Sequence, residues 1–260
     1  MKCNLCPRNC DVDRASSKGY CGQTDKIKVA RASLHMWEEP CISGERGSGT
    51  VFFSGCGLRC VFCQNFDIAN GNTGKEITVE RLAEIFLELK AKGAHNINLV
   101  TGDHFTEQII KALDIAKSKG MDLPVVFNTS SYINKETLKK LENYVDIYLA
   151  DFKYFDNDTA KKYSNADNYL QVVKTAIEEM VSQKGVPVYD DEGMMTKGVI
   201  VRHLLMPSHL QESKAIIRYV YEEYGERVVL SIMNQYTPLK QVEKYPEINR
   251  KVTEEEYESL

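Results

Sequence analysis

The sequence predicts an α/β protein: a partial (β/α)6 barrel, residues 49–260, with a cysteine-rich N-terminal extension, residues 1–48. Three observations carry that prediction. Six short β-branched runs recur after Gly49, and five longer segments of helical period separate them. The extension lacks this rhythm and holds five of the eight cysteines.

The strand-like runs are TVFFS (50–54), INLVT (97–101), PVVFN (124–128), VDIYLADF (145–152), KGVIVRHLL (197–205) and RVVLSIMN (227–234). Helical patterns occupy 79–92 behind the capping residue Thr78, 106–119 ending at Gly120, and 135–143 behind Asn134. Two more cover 168–183, ending near Gly185, and 211–224, ending at Gly225. Strands joined through helices run parallel with right-handed crossovers, so the units curl into one sheet with helices outside. The loop 185–196, with Asp190-Asp191-Glu192, is the most exposed connection. After a polar stretch, 235–251, Thr253-Glu254-Glu255-Glu256 reads as a capping box. It opens either a single frayed turn or a helix cut short from a longer parent chain. In the extension only 27–37, IKVARASLHMW, reads as a strand or hairpin arm.

Composition narrows the function classes. A chain of 260 residues, 43% apolar and 27% charged, reads as an ordinary soluble globular protein. Its net charge of −4, with acids and bases interleaved, argues against a nucleic-acid partner. The first fifteen residues hold no apolar signal core, and no apolar run approaches the roughly 20 residues that span a bilayer. The expectation is a cytoplasmic protein without a membrane partner, its thiols reduced and available to metal.

Directly after the first barrel strand comes Cys56-Gly57-Leu58-Arg59-Cys60-Val61-Phe62-Cys63, a C-x3-C-x2-C loop. Three thiolates on one loop can hold three irons of a cubane and leave the fourth open, with Gly55 and Gly57 letting the backbone wrap closely. Zinc fits less well, because no further His or Cys follows within thirty residues. With an aromatic residue before the last cysteine, at the end of the first strand of six βα units, the loop resembles that of the radical S-adenosylmethionine superfamily. The wording Cys3-x2-Cys6-Pro7-Arg8-x-Cys10, Gly19-Tyr20-Cys21-Gly22, Glu39-Pro40-Cys41-Ile42-Ser43-Gly44 and Cys63-Gln64-Asn65 is similar to the pyruvate formate-lyase activating enzyme-like group.

The resemblance implies that Cys56, Cys60 and Cys63 bind a [4Fe–4S] cluster and that its open iron takes S-adenosylmethionine, with Phe62 beside the adenine. Reductive cleavage would give a 5′-deoxyadenosyl radical that abstracts hydrogen. The substrate would be a glycyl radical enzyme, making the protein an activase, or else a metabolite or peptide. The electron donor would be a flavodoxin or ferredoxin. From a different class, a non-catalytic interaction module with two structural zinc sites remains open.

Ligands of a parallel barrel sit at the carboxyl ends of its strands. Strand two ends in Gly102-Asp103-His104, where the superfamily places a Gly-Gly-Glu-like motif for the ammonium group. The glycine pair is not intact here; Asp103 can accept that ammonium or cap a helix, and His104 titrates near neutrality or lies on the surface. Strand three ends in Asn128-Thr129-Ser130, suited to ribose hydroxyls or a carboxylate. Asp151 and Lys153 share one face of strand four and resemble the Asp-x-Lys pair of glycyl-radical activases. Arg202 on strand five needs an anion: the methionyl carboxylate, as the resemblance implies, or Asp151. Leu204 would lie near the adenine, and Asn234-Gln235-Tyr236 would face the same cavity. Cys3, Cys6, Cys10 and Cys21 are expected to converge on one tetrahedral site, holding zinc or an auxiliary Fe–S cluster. Cys41 has no evident partner and reads as a packing residue.

Overall fold

The computed structural model describes residues 2–260. Its strands are β1 (Lys28–His35), β2 (Ser48–Phe53), β3 (Lys75–Glu76), β4 (Ile97–Val100), β5 (Val125–Thr129), β6 (Ile147–Asp151), β7 (Val188–Tyr189), β8 (Met195–Leu204) and β9 (Val229–Met233). The helices are α1 (Pro40–Ser43), α2 (Phe66–Ala69), α3 (Val79–Ala91), α4 (Thr106–Ser118), α5 (Lys135–Leu141), α6 (Asn157–Ser164), α7 (Tyr169–Lys184), α8 (Leu210–Tyr224) and α9 (Glu254–Glu258). Six strands run parallel in the order β2-β4-β5-β6-β8-β9. They match the six runs seen in the sequence, and the sheet is an open, partial barrel. No helix among the described residues is long and apolar enough to cross a membrane.

Strand alternation divides the apolar residues between two cores. Outward residues such as Val51, Leu99, Phe127, Tyr148 and Val201 pack under the helices in the main core. Inward residues Val126, Ile147, Leu149, Met195 and Ile200 form a smaller core inside the barrel. Its centre is Ile42 of α1, fully buried. β1 ends opposite the start of β2, with His35 facing Ser48, so the connection carrying α1 crosses the amino ends of the strands and closes the barrel floor. Asn96 fixes this plug, its Nδ2 donating to the Ile42 carbonyl at 2.7 Å and its Oδ1 accepting from Ser48 Oγ at 2.6 Å.

The expected division at residues 48 and 49 falls inside β2, after its first residue. β1 pairs antiparallel with β2 along its length and β3 adds outside it, so part of the extension continues the sheet. The loop expected over 185–196 folds back as a hairpin, β7 against β8, and this starts β8 at Met195. Thr78 caps α3 as expected, accepting from Arg81 N at 3.2 Å, and Thr253 with Glu256 forms the capping box of α9. Asn134 holds the N-cap position of α5 as expected, but its side chain makes no cap bond. Its amide instead donates to the Asn4 carbonyl at 2.7 Å, and Thr137 Oγ donates to Leu5 O at 2.8 Å, which ties the extension to that helix.

Truncating the plug should destabilise the whole barrel. Ile42→Ala is expected to cost about 2–5 kcal/mol in urea unfolding, as large-to-small changes in packed cores do. The exposed Tyr221→Ala serves as a control that should stay within about 0.5 kcal/mol. A midpoint for Ile42→Ala equal to the parent's would mean the floor contributes nothing to stability.

Candidate active site at the strand ends

The chain leaves β2 through Ser54 and Gly55. Gly55 has φ +90°, and a Cβ there would stand 2.6 Å from the carbonyl oxygen of Cys21, so this position admits only glycine. The loop then doubles back. Cys56 Sγ accepts from the backbone N–H of Leu58 at 3.3 Å and of Arg59 at 3.5 Å, while Cys63 N donates to Cys60 O at 3.1 Å. Val61 N donates to Tyr163 O at 2.9 Å, which anchors the loop to α6.

The three thiols lie within electrostatic reach of one another. Burial, then the neighbouring Cys60, push the Cys56 thiol up to about 12 and the Cys63 thiol up to about 11. Three anions cannot share this dry corner without a cation among them. The loop itself supplies three thiolates and no fourth Cys or His. A tetrahedral zinc draws its thiolates onto one atom, whereas a cubane offers each its own corner. The donor set of Cys56, Cys60 and Cys63 therefore fits an Fe–S cluster.

Beyond β4, Gly102 packs against α4, where a Cβ would stand 2.5 Å from Ile109 Cδ1. Asp103 is buried, contacts Thr129, and keeps its Oδ1 without a hydrogen-bond partner. Burial raises its carboxyl to about 7. His104 is neither on the surface nor poised near neutrality. It is buried, its Nε2–H donates to Ser54 O at 2.7 Å, Nδ1 has no partner, and burial lowers it to about 4. Its role is to tie the end of β2 to the end of β4.

Inside the barrel, above the apolar plug, the inward residues are polar. Arg202 Nε donates to Asp151 Oδ1 at 2.9 Å, Nη1 to Glu38 Oε1 at 2.7 Å and Nη2 to Asn128 Oδ1 at 2.8 Å. Glu38 Oε2 accepts from Asn98 Nδ2 at 3.0 Å and from Asn128 Nδ2 at 3.3 Å. Lys153 Nζ donates to Asp151 Oδ2 at 2.7 Å. Burial alone would raise Asp151, but Arg202 and Lys153 outweigh it and hold the carboxyl below its usual range. The anion required by Arg202 is thus shared between Asp151 and Glu38. Glu38 was not among the residues singled out by sequence, and no spacing pointed to it, because its partner lies 164 positions along the chain.

Lys153 is one-fifth exposed and lies within electrostatic reach of both Cys60 and Cys63, at the border between lumen and cysteine loop. Leu204 is half-buried on β8, two residues beyond Arg202. Phe62 is buried, its ring 6.2 Å from Tyr154, 6.5 Å from Tyr163 and 6.0 Å from Tyr236. Tyr236 is buried and donates to Ile248 O at 2.8 Å, while Asn234 and Gln235 are exposed. Thr129 Oγ accepts from Ser131 N at 3.1 Å. Cys41 is half-buried against the inner core.

Fold, cysteine loop and polar rim define a class, and comparison with known proteins bears it out: the chain belongs to the radical SAM superfamily, whose family model matches residues 50–207. The uncharacterized protein MJ0674 of Methanocaldococcus jannaschii is 32% identical over 266 residues, 98% of this chain and 72% of that protein. The pyruvate formate-lyase-activating enzyme of Clostridium pasteurianum is 30% identical over 178 residues, 65% of each chain. Among solved structures, Streptococcus suis SuiB bound to S-adenosylmethionine aligns at TM-score 0.49 and 13% identity, covering 76% of this chain and 41% of that one.

The lumen network generates one prediction. Glu38→Ala leaves Arg202 buried with one carboxylate fewer and should destabilise the fold by about 3–5 kcal/mol. Adding Arg202→Met should recover a large part of that loss. Urea midpoints of the two single variants and the double variant measure it; strictly additive losses would show that the pair is not coupled.

Proposed function

We propose that the protein is a radical S-adenosylmethionine enzyme of the activating type. Its [4Fe–4S] cluster would sit on Cys56, Cys60 and Cys63, and its substrate hydrogen would come from a glycine in a partner protein. The observation that carries this reading is the loop itself: three free thiols, Cys60 buried and Cys56 and Cys63 partly so, within electrostatic reach of one another at the carboxyl end of the first parallel strand. When bound, the cluster and S-adenosylmethionine supply a 5′-deoxyadenosyl radical.

The protein's own residues bind and orient. Asp103, with a buried unpartnered Oδ1, suits an ammonium donor and would gain the hydrogen bond it lacks. Lys153 suits the methionyl carboxylate, beside Cys60 and Cys63. Leu204 and Phe62 offer apolar surface for the adenine, with Gly102 and Thr129 along the same rim. Asn128, Asp151 and Arg202 have already committed their polar groups to one another, so they position Lys153 rather than receive the cofactor. α1 closes the floor, so substrate approaches from the rim, where a backbone loop of another protein can be presented. The activating-enzyme relative supports that substrate class by its name alone. A low-potential flavodoxin or ferredoxin would supply the electron.

Alanine at Cys56, Cys60 or Cys63 should abolish both the S-adenosylmethionine-responsive cluster and 5′-deoxyadenosine formation. Lys153→Ala should keep the iron and lower S-adenosylmethionine affinity roughly tenfold. For the substrate, a partner glycyl radical enzyme labelled with α-deuterated glycine should pass deuterium into 5′-deoxyadenosine. Normal iron and product in all three cysteine variants would sink the cluster assignment. Label that stays wholly in the protein would sink the activase assignment.

A further inference from the structure

Besides Cys41, the extension holds four thiols, and their surroundings do not look like ordinary packing. Between residues 2 and 26 the only buried apolar side chain is that of Cys21, so hydrophobic burial cannot hold this segment in shape. Yet it has one. Cys3 N donates to Val12 O at 3.0 Å and Asn9 N to Cys6 O at 3.1 Å, forming a tight knuckle whose Asn9 and Asp11 both have left-handed φ. A turn at Gly19–Gly22 presents Cys21 to it.

The thiols converge. Cys21 lies within electrostatic reach of Cys3 and Cys10, and Cys6 within reach of Cys10 and Cys21. The sulfurs of Cys10 and Cys21 both stand 3.6 Å from the point a Gly19 Cβ would occupy, and Tyr20 N donates to Cys10 Sγ at 3.1 Å. Four thiolates at this spacing suit either a tetrahedral zinc or a cubane. What favours the cubane is where the quartet sits.

The quartet also backs directly onto the active-site loop. Cys6 Sγ stands 3.5 Å from where a Gly57 Cβ would be, and Arg8 Nε donates to Gly57 O at 2.8 Å. Arg8 is itself held over the Tyr20 ring at 4.0 Å. On the other side, Gly55 lies against the Cys21 carbonyl.

We infer that Cys3, Cys6, Cys10 and Cys21 bind a second [4Fe–4S] cluster, fully ligated by protein and adjacent to the first. All four corners being taken, it has no place for S-adenosylmethionine and serves as a one-electron carrier. It accepts one electron from a low-potential carrier protein and passes one to the neighbouring site, with no bond or proton changed. The carrier role rests on the assignment of Cys56, Cys60 and Cys63 as a cluster site, whereas the metal at the quartet is tested separately.

Iron, acid-labile sulfide and zinc are to be counted per chain after anaerobic reconstitution of three full-length proteins. These are the parent, Cys56→Ala/Cys60→Ala/Cys63→Ala, and Cys3→Ser/Cys6→Ser/Cys10→Ser/Cys21→Ser. The inference predicts about eight iron and eight sulfide in the parent and about four of each in the triple variant, with zinc near zero. The quadruple variant should also hold about four if it folds; if it does not, the triple variant decides alone. One zinc and no iron in the triple variant overturns the inference in favour of a structural ion. Neither metal there overturns it outright. In both cases iron in the parent would leave the active-site reading standing.

Discussion

A guanidinium inside a protein has to be neutralised where it stands, and the barrel is organised around meeting that need for Arg202. Leaving an ion unpaired in the interior costs several kcal/mol even after relaxation. Here the compensation comes from three separate strands and one connecting segment: Asn98 on β4, Asn128 on β5, Asp151 on β6, and Glu38 just ahead of α1. Each contributor must point inward. A one-residue slip in any strand would turn its polar residue toward the helices, so the network and the alternation of the sheet enforce each other. Because Glu38 and Ile42 belong to one short segment, the same interaction that satisfies Arg202 also seats the floor plug. Asp151 then carries the order upward to Lys153 and the cysteine loop.

The loop is gripped from behind as well. Arg14 donates to the His104 carbonyl and to Thr24 O, and Arg8 donates to Gly57 O and Ser164 O, so two arginines of the extension bond to the backbone of the rim. His104 in turn holds Ser54. The rim is thus ordered by side-chain donors bonded to main-chain carbonyls, which fix the position of the backbone itself. Catalytic and cofactor groups need that kind of support to stay within a fraction of an ångström of their working geometry. The extension is therefore part of the site's scaffold.

Much of this was legible in the sequence. The six parallel strands and the five helices between them were, because each strand is a short, largely apolar run and each helix carries a strong period and a stop. The cysteine loop was legible because its spacing is local. α6 was not: its buried face is Ala160, Tyr163 and Ser164, and only two of the eight side chains of Asn157–Ser164 are apolar. Arg202 could be read as a charge seeking an anion, but the choice between cofactor and protein depended on Glu38, a glutamate in an unpatterned stretch. Asn98 and Asn128 were a signal for it, being polar residues at inward positions of otherwise apolar strands. Nor did residue type alone place His104, whose burial depends on two loops meeting at the rim.

The central claim is that the rim of this barrel holds S-adenosylmethionine against a cluster and cleaves it reductively. Its most direct measurement is product analysis of the anaerobically reconstituted protein, reduced with dithionite in the presence of S-adenosylmethionine. The account predicts 5′-deoxyadenosine and methionine in equal amounts, both dependent on reductant and both lost on Cys60→Ala. A fully iron-loaded protein that binds S-adenosylmethionine yet releases neither product under reduction would contradict it.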